Sequence, residues 1–187
     1  MTQRAIRAVV RGTDVFLRSP TAYDRDEFLE RVRASRKLHG PWVSGPADAD
    51  AYAAWLRRTR TADRESLLVC RDEDGAIAGV YNIGQIFYGP FCSAYLGYYA
   101  FTPFAGRGYM REGLQLVLRH AFGPLGLHRL EANIQPENGP SIALVSGAGF
   151  RLEGLSPRYL KIAGRWRDHE RWAILAEEFH PGRGRRT

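Results

Sequence analysis

Apolar positions along the chain recur with two periods, and each change of period marks an element. "VFLRSP" (Val15 to Pro20) predicts a short strand. In "TAYDRDEFLERVRAS", Phe28, Leu29 and Val32 form a helical stripe, and Thr21 with Asp24 three residues on supplies a capping-box start. Gly40-Pro41 and Gly45-Pro46 punctuate "LHGPWVSGPAD" as a loop, after which Tyr52, Trp55, Leu56 and Thr59 predict a second helix. "SLLVCRD" (Ser66 to Asp72) and "AIAGVYNIGQIF" (Ala76 to Phe87) pair as a hairpin around Asp74-Gly75. "SAYLGYYAF" (Ser93 to Phe101) is apolar on both alternating faces, the pattern of a central strand. Met110, Leu114, Val117, Leu118, Ala121 and Phe122 then line one side of a long helix. In "HRLEANIQ" (His128 to Gln135), Leu130, Ala132 and Ile134 alternate with Arg129, Glu131, Asn133 and Gln135, giving one buried and one polar face. "SIALVSGAG" is a short helix closed by glycine, and "FRLEGL" and "RYLKIAGRWRDHERWAILAE" end the chain as strands around a turn near Gly164. The order β-α-α-β-β-β-α-β-α-β-β contains one βαβ unit, whose two strands lie parallel in one sheet.

A length of 187 residues with 44% hydrophobic content supports one well-packed domain and not two. Two cysteines, Cys70 and Cys92, make no disulfide framework, and five histidines without ligand spacing make no metal site. No apolar run approaches the ~18 residues of a membrane span, and no apolar leader opens the chain. The expectation is a cytoplasmic protein with no membrane partner. The net charge of +7 suggests nucleic acid until it is located. Arg4, Arg7 and Arg11 precede the first acidic residue, Asp14, and Arg183, Arg185 and Arg186 lie in the tail, so six of the seven charges sit at the ends. We expect flexible basic ends at 1–13 and 179–187 around a single domain at 14–178, with nucleic-acid contact confined to those ends.

The candidate chemistry begins at "FAGRGYMREGL", where Gly106 and Gly108 flank Arg107 at the mouth of the long helix. A helix N-terminus has unpaired amides and about half a positive charge, which suits phosphate. Glycine admits a close approach to the backbone, and Arg107 and Arg111 add charge. The motif is not a Walker A loop, and Arg111 stands where a dinucleotide fingerprint needs its third glycine. A tight turn and an anion cradle both remain open on these residues alone.

Further motifs carry a resemblance. Asn138 three residues before Ser141, then an apolar helix and "GAGFRLEG", is similar to the N-x-x-S…GF-x-x-EG run of the GNAT superfamily of N-acetyltransferases. The ending "YLKIAGRWRDHERWAIL" and the strand "SAYLGYYAF" resemble its RimJ/RimL branch, which includes ribosomal-protein N-terminal alanine acetyltransferases. The family's Q/R-x-x-G-x-G/A turn falls here on Ala105, Gly106, Arg107, Gly108, Tyr109 and Met110, where Ala105 and Met110 depart from it. The resemblance implies an α/β GNAT fold: a mixed, mostly antiparallel sheet of about six to seven strands with flanking helices, in which the parallel pair splays apart. It implies acetyl-CoA as co-substrate, its pantetheine arm against the strand edge at Tyr99, Ala100 and Phe101, its pyrophosphate on the amides of Ala105 to Arg111, and Asn138 on the pantetheine. Acyl transfer to a primary amine by direct attack then needs an oxyanion donor, for which a backbone amide near Tyr99 or Ala100 serves, and a group to protonate the thiolate, for which Ser141 is the match. Ser141 would also start a helix regardless of chemistry. The carboxylate that some RimL-type enzymes place after "GFxxEG" is missing from "SPRYLK", which leaves Glu131 as the candidate base and Asn133 beside it. Trp42 and Tyr98, with Tyr159 and Trp166 as further aromatics, are candidates for the acceptor pocket, and His128 and His169 are read as structural. The acceptor implied is a protein N-terminal α-amine. A small amine, another acyl donor such as succinyl-CoA, and a non-catalytic CoA-binding or ribosome-associated module are the alternatives. Dimers are common in the branch, which leaves a homodimer open.

Overall fold

The structure is a computed structural model that describes residues 7–180 apart from Pro41 and Arg60. The strands are β1 (Val10–Arg11), β2 (Val15–Arg18), β3 (Arg64–Arg71), β4 (Ile77–Phe87), β5 (Ser93–Ala100), β6 (Arg129–Ile134), β7 (Arg151–Ile162) and β8 (Arg165–Leu175). The helices are α1 (Arg25–Ala34), α2 (Arg36–His39), α3 (Ala49–Arg58), α4 (Tyr109–Phe122) and α5 (Gly139–Gly147). All eight strands form one sheet in the order β1-β2-β3-β4-β5-β6-β8-β7. That is more than the six to seven expected. The extra strand is β1, which pairs Val10 with Leu17 and Arg11 with Phe16, so the sheet begins inside the segment expected to be a flexible end. At the other end, Phe179 rests on Phe122 with ring centroids 5.8 Å apart. The basic ends expected at Arg4, Arg183, Arg185 and Arg186 lie outside the described residues.

Alternation along the central strands feeds two cores. Leu67, Val69, Tyr81, Ala94 and Leu96 face α4, where Leu114, Val117, Leu118 and Ala121 complete one cluster. Leu68, Cys70, Val80, Tyr99 and Phe101 face α1 and α3, where Phe28, Val32, Tyr52, Trp55 and Leu56 complete the other. Strands covered on both faces are apolar at nearly every position, which is why β3 and β5 read as continuous hydrophobic runs. The expected helix after Val15–Pro20 begins as a single 3-10 turn at Ala22–Asp24, in which Thr21 N donates to Asp24 Oδ2 at 2.6 Å. The two closing segments before Gly164 merge into one strand, β7, whose register against β8 shifts between Leu152 and Gly154 and again between Ser156 and Leu160.

The feature that positions the site is the meeting of β5 and β6. They pair in parallel at Ser93–Arg129, Ala94–Leu130 and Tyr95–Glu131, and no further. Beyond Tyr95, β5 stays with β4 as far as Gly79–Ala100, and β6 stays with β8 as far as Ile134–Glu170. The sheet therefore opens into a wedge toward the C-terminal ends of both strands.

Candidate active site

At the head of the wedge the chain turns from β5 into α4. The turn is pinned by Phe104 N and Ala105 N, which both donate to Phe101 O, at 2.8 and 3.0 Å. Phe104 is buried, and the guanidinium groups of Arg31 and Arg71 lie 4.9 and 5.3 Å from its ring centre. Gly106 and Gly108 then adopt φ values of 78° and 89°, which a side chain strongly disfavours, and Gly108 caps α4. Among the described residues, the amides of Gly106, Gly108, Tyr109, Met110 and Arg111 have no hydrogen-bond partner. Arg107 and Arg111 are exposed and unpaired there. Five open donors, two free cations and the positive end of a 14-residue helix fit a bound phosphate. The amide of Ala105, expected in this cradle, is instead spent on the turn, and that of Arg107 lies 3.4 Å from Phe104 O.

Two contacts fix the helix mouth to the sheet. Tyr81 Oη donates to Met110 O at 2.7 Å. The Met110 side chain lies over Gly79, where an added Cβ would come within 2.3 Å of its sulfur. Met110 replaces a small residue of the family's turn, and Gly79 on the facing strand makes the room. One turn along, the Glu112 carboxylate accepts from Asp14 N at 3.0 Å and from Thr13 N, tying the β1–β2 turn to α4.

Within the wedge, the parity of β5 decides which backbone groups are available. Phe101 N donates to Ala78 O on β4 at 2.8 Å, and the next amide, Thr102 N, reaches Ser35 Oγ on the opposite side at 2.9 Å. Successive strand residues direct their backbone groups to opposite edges. Tyr99 and Phe101, expected as edge contacts, therefore face β4, while Tyr98 and Ala100 present theirs to the wedge. His39, at 6% exposure, places Nε2 2.9 Å from Ala100 O. A carbonyl only accepts, so Nε2 carries the proton.

Ser141 lies across the wedge from β5. It is the third residue of α5 and not its cap; the cap is Asn138, whose Oδ1 accepts from Ser141 N at 3.3 Å. Ser141 Oγ is 2.5 Å from Tyr98 Oη. Tyr98 thus lies on the α4 and α5 side of the sheet and not with Trp42, the side on which an acceptor role was expected. Burial pushes the Tyr98 phenol up to about 12, against a smaller downward pull from Ser141, so it remains protonated at neutral pH.

The polar face of β6 looks to the opposite side. Glu131, the candidate base, accepts from Arg129 Nε at 2.9 Å, and Arg129 also grips Glu153, holding that carboxyl below its usual range. Asn133 Oδ1 is buried without a partner among the described residues. On the same face, β3, β4, α3 and the 43–46 loop enclose a cavity of about 440 Å3. Trp55, Asn82, Ser66, Arg58 and Tyr99 line it; Trp42 and Tyr98 do not. Tyr159 and His169 meet at 6.0 Å with their rings tilted by 58°, Trp166 is exposed, and His128 approaches Glu177 at 3.5 Å. Asn82 escaped the sequence analysis, although a lone amide in the apolar run "AIAGVYNIGQIF" is itself a signal. Among the described residues no group of His, Cys, Asp and Glu could hold a metal ion, and no helix is long and apolar enough to cross a membrane.

Comparison with known proteins agrees with this geometry. Residues 14–151 match the family described as acetyltransferase (GNAT) domain. A Bacillus subtilis protein named as a probable N-acetyltransferase, YjcK, is 30% identical over 89% of this chain and 97% of its own length. The Escherichia coli [ribosomal protein uS5]-alanine N-acetyltransferase is 36% identical over 59% of this chain and 57% of that protein. The solved structure of Mycobacterium smegmatis RimJ in complex with CoA-disulfide superposes with a TM-score of 0.81 at 32% identity, covering 88% of this chain and 83% of that one. With a splayed parallel pair and a glycine turn opening five amides at its head, the chain belongs to the GNAT acetyltransferase family, RimJ-like in its relatives, and is an acyltransferase whose co-substrate is acetyl-CoA.

Proposed function

We propose that the chain acetylates a primary amine by direct attack on the thioester, and that its natural acceptor is a protein N-terminal α-amine. The observation that carries this reading is the set of backbone amides without a partner among the described residues, the five of the turn and those of Ala100 and Tyr98 on the wedge edge of β5. The turn amides, with Arg107 and Arg111, hold the pyrophosphate. The edge of β5 takes the pantetheine arm, and Asn138 contacts it through its side-chain amide. The amine nitrogen forms its bond to the acetyl carbon, and the oxyanion that develops is met by the Tyr98 or Ala100 amide, fixed in place before the reaction begins. As the C–S bond breaks, Ser141 Oγ gives its proton to the sulfur and recovers one through Tyr98, whose phenol takes up in turn the proton that the amine releases to water. The proton lost by the amine passes to water or to Glu131.

Glu131 is tied to Arg129, which favours an acceptor that arrives neutral. An α-amine, with a reference pKa near 8, is neutral far more often at pH 7 than lysine, near 10.4. The names of the relatives point the same way, since the Escherichia coli protein is an alanine N-acetyltransferase of a ribosomal protein.

The test is calorimetric titration with acetyl-CoA, followed by release of free CoA with an N-terminal alanine peptide. Wild type should bind and turn over. The double variant Arg107→Glu, Arg111→Glu changes only exposed, unpaired side chains and should lose about tenfold or more in acetyl-CoA affinity. Failure of folded wild type to bind would sink the proposal.

A further inference from the structure

The cavity beside the wedge has a definite chemical bias. Asn82, on β4, is oriented by two neighbours: Trp55 Nε1 at 3.3 Å and Ser66 Oγ at 2.6 Å. The indole nitrogen can only donate, so the Asn82 atom it meets is the oxygen. The Nδ2 donors of Asn82 are left without a partner among the described residues, in a side chain that lines the cavity. Arg58, at the end of α3, lines the same space and has no ion-pair partner there, while Arg64 shares its charge with Asp63 at 3.5 Å. No Asp or Glu is among the described lining residues.

An arginine at the C-terminus of a helix is favourable whatever binds nearby. That explains why Arg58 is tolerated, but not why the cavity it enters has donors and no carboxylate. A polyamine entering here would lose water from an ammonium and find no anion in return. Carboxylate oxygens would meet the fixed Asn82 donors and the Arg58 fork.

Resting on the transferase reading above, we infer that this cavity selects amines carrying a carboxylate close to the reacting nitrogen and rejects polyamines. The carboxylate can be that of a free α-amino acid or of acidic side chains following the N-terminal residue of a peptide.

Four acceptors separate these sources: free alanine, an amidated Ala-Asp-Glu-Gly peptide, an amidated Ala-Lys-Arg-Gly peptide, and spermidine. Initial rates of CoA release give kcat/KM for each with the full chain. We expect the acidic peptide, free alanine, or both to exceed the basic peptide and spermidine by about tenfold or more. The variant Arg58→Glu should reverse the order of the two peptides. Asn82→Asp keeps an acceptor for Trp55 and Ser66 but replaces the donors by an anion, and should move preference the same way. Equal rates for acidic and basic peptides with no excess for free alanine, a preference for spermidine, or a preference for the carboxylate-bearing acceptor unchanged in both variants would overturn the inference while leaving the transferase reading intact. Binding of acetyl-CoA with no turnover of any acceptor would overturn both.

Discussion

Ser141 and Tyr98 share a 2.5 Å contact that serves two ends at once. It holds the serine hydroxyl at one position on the wall of the wedge, and it keeps a second proton one bond behind it. If Ser141 protonates the thiolate, Ser141→Ala should lower kcat by about a hundredfold, with little change in KM for acetyl-CoA. Tyr98→Phe removes the positioning contact and the proton behind it but leaves the serine hydroxyl, and should cost about tenfold in kcat. Equal kcat in all three proteins would remove Ser141 from the chemistry. A second residue pair, Arg18 with Asp24, governs stability instead. Their side chains are 7% and 11% exposed and 2.6 Å apart. Burial alone would raise the Asp24 carboxyl, but its hydrogen bonds to Arg18 win and hold it below the usual carboxylate range. The unfolded chain therefore binds the proton more tightly. The stabilisation is complete above the unfolded value near 3.9 and is lost as pH falls through the lower folded value. Asp24→Asn should cost about 3 kcal/mol at pH 7. Urea midpoints measured from pH 7 to pH 3 should fall less steeply in the variant than in wild type.

Helix α4 sits against the sheet through a fit between two departures from expectation. Met110 is large where the family's turn has a small residue, and Gly79 is bare where a central strand favours a branched side chain. An alanine at Gly79 would bring Cβ within 2.3 Å of the Met110 sulfur and 2.9 Å of Tyr99 O. Gly79→Ala should destabilise by about 1–3 kcal/mol. Met110→Ala in the same chain should recover part of that loss, leaving the portion due to the rigid carbonyl. Strict additivity in the double-mutant cycle would show that the two positions do not touch. Helix α5 separates capping from chemistry in the same way. Asn138 is its cap, so Asn138→Ala should cost about 1 kcal/mol in chemical denaturation. Ser141 lies inside the first turn, and its replacement by alanine should leave stability nearly unchanged. The sequence places a serine at the front of an apolar run and an asparagine three residues earlier, and both are good caps. Only the backbone shows which one accepts the amide.

Across the whole molecule, local features were legible and relations between distant segments were not. Alternation in "HRLEANIQ" correctly separates Leu130, Ala132 and Ile134 from the polar face, because burial with period two is written residue by residue. The glycine turn was legible for the same reason, since an arginine between two glycines at a helix mouth is a local pattern. The edge to which each backbone group of β5 points depends instead on its pairing with β4, so Tyr99 and Phe101 looked as available as Ala100. Trp42 and Tyr98 seemed natural partners by composition, yet the sheet itself lies between Tyr98 and the face that carries the cavity. Asn82, Trp55 and Ser66 come from three elements and meet only after the sheet has formed. This parity makes a prediction that a generic cleft does not. On addition of acetyl-CoA, amide hydrogen exchange should slow at Tyr98 and Ala100 and at the open amides of Gly106 and of Gly108 through Arg111. Tyr99 and Phe101 already bond to β4 and should exchange slowly with or without ligand. At a ligand concentration of 100 times Kd, amides that exchange only by global unfolding should gain about 2.7 kcal/mol of protection, so the test lies in the pattern at alternate residues. Residue-resolved exchange by NMR reads it directly. A uniform slowing along Tyr98 to Phe101 would mean that the arm does not pair with this edge, and the site would have to be moved off β5.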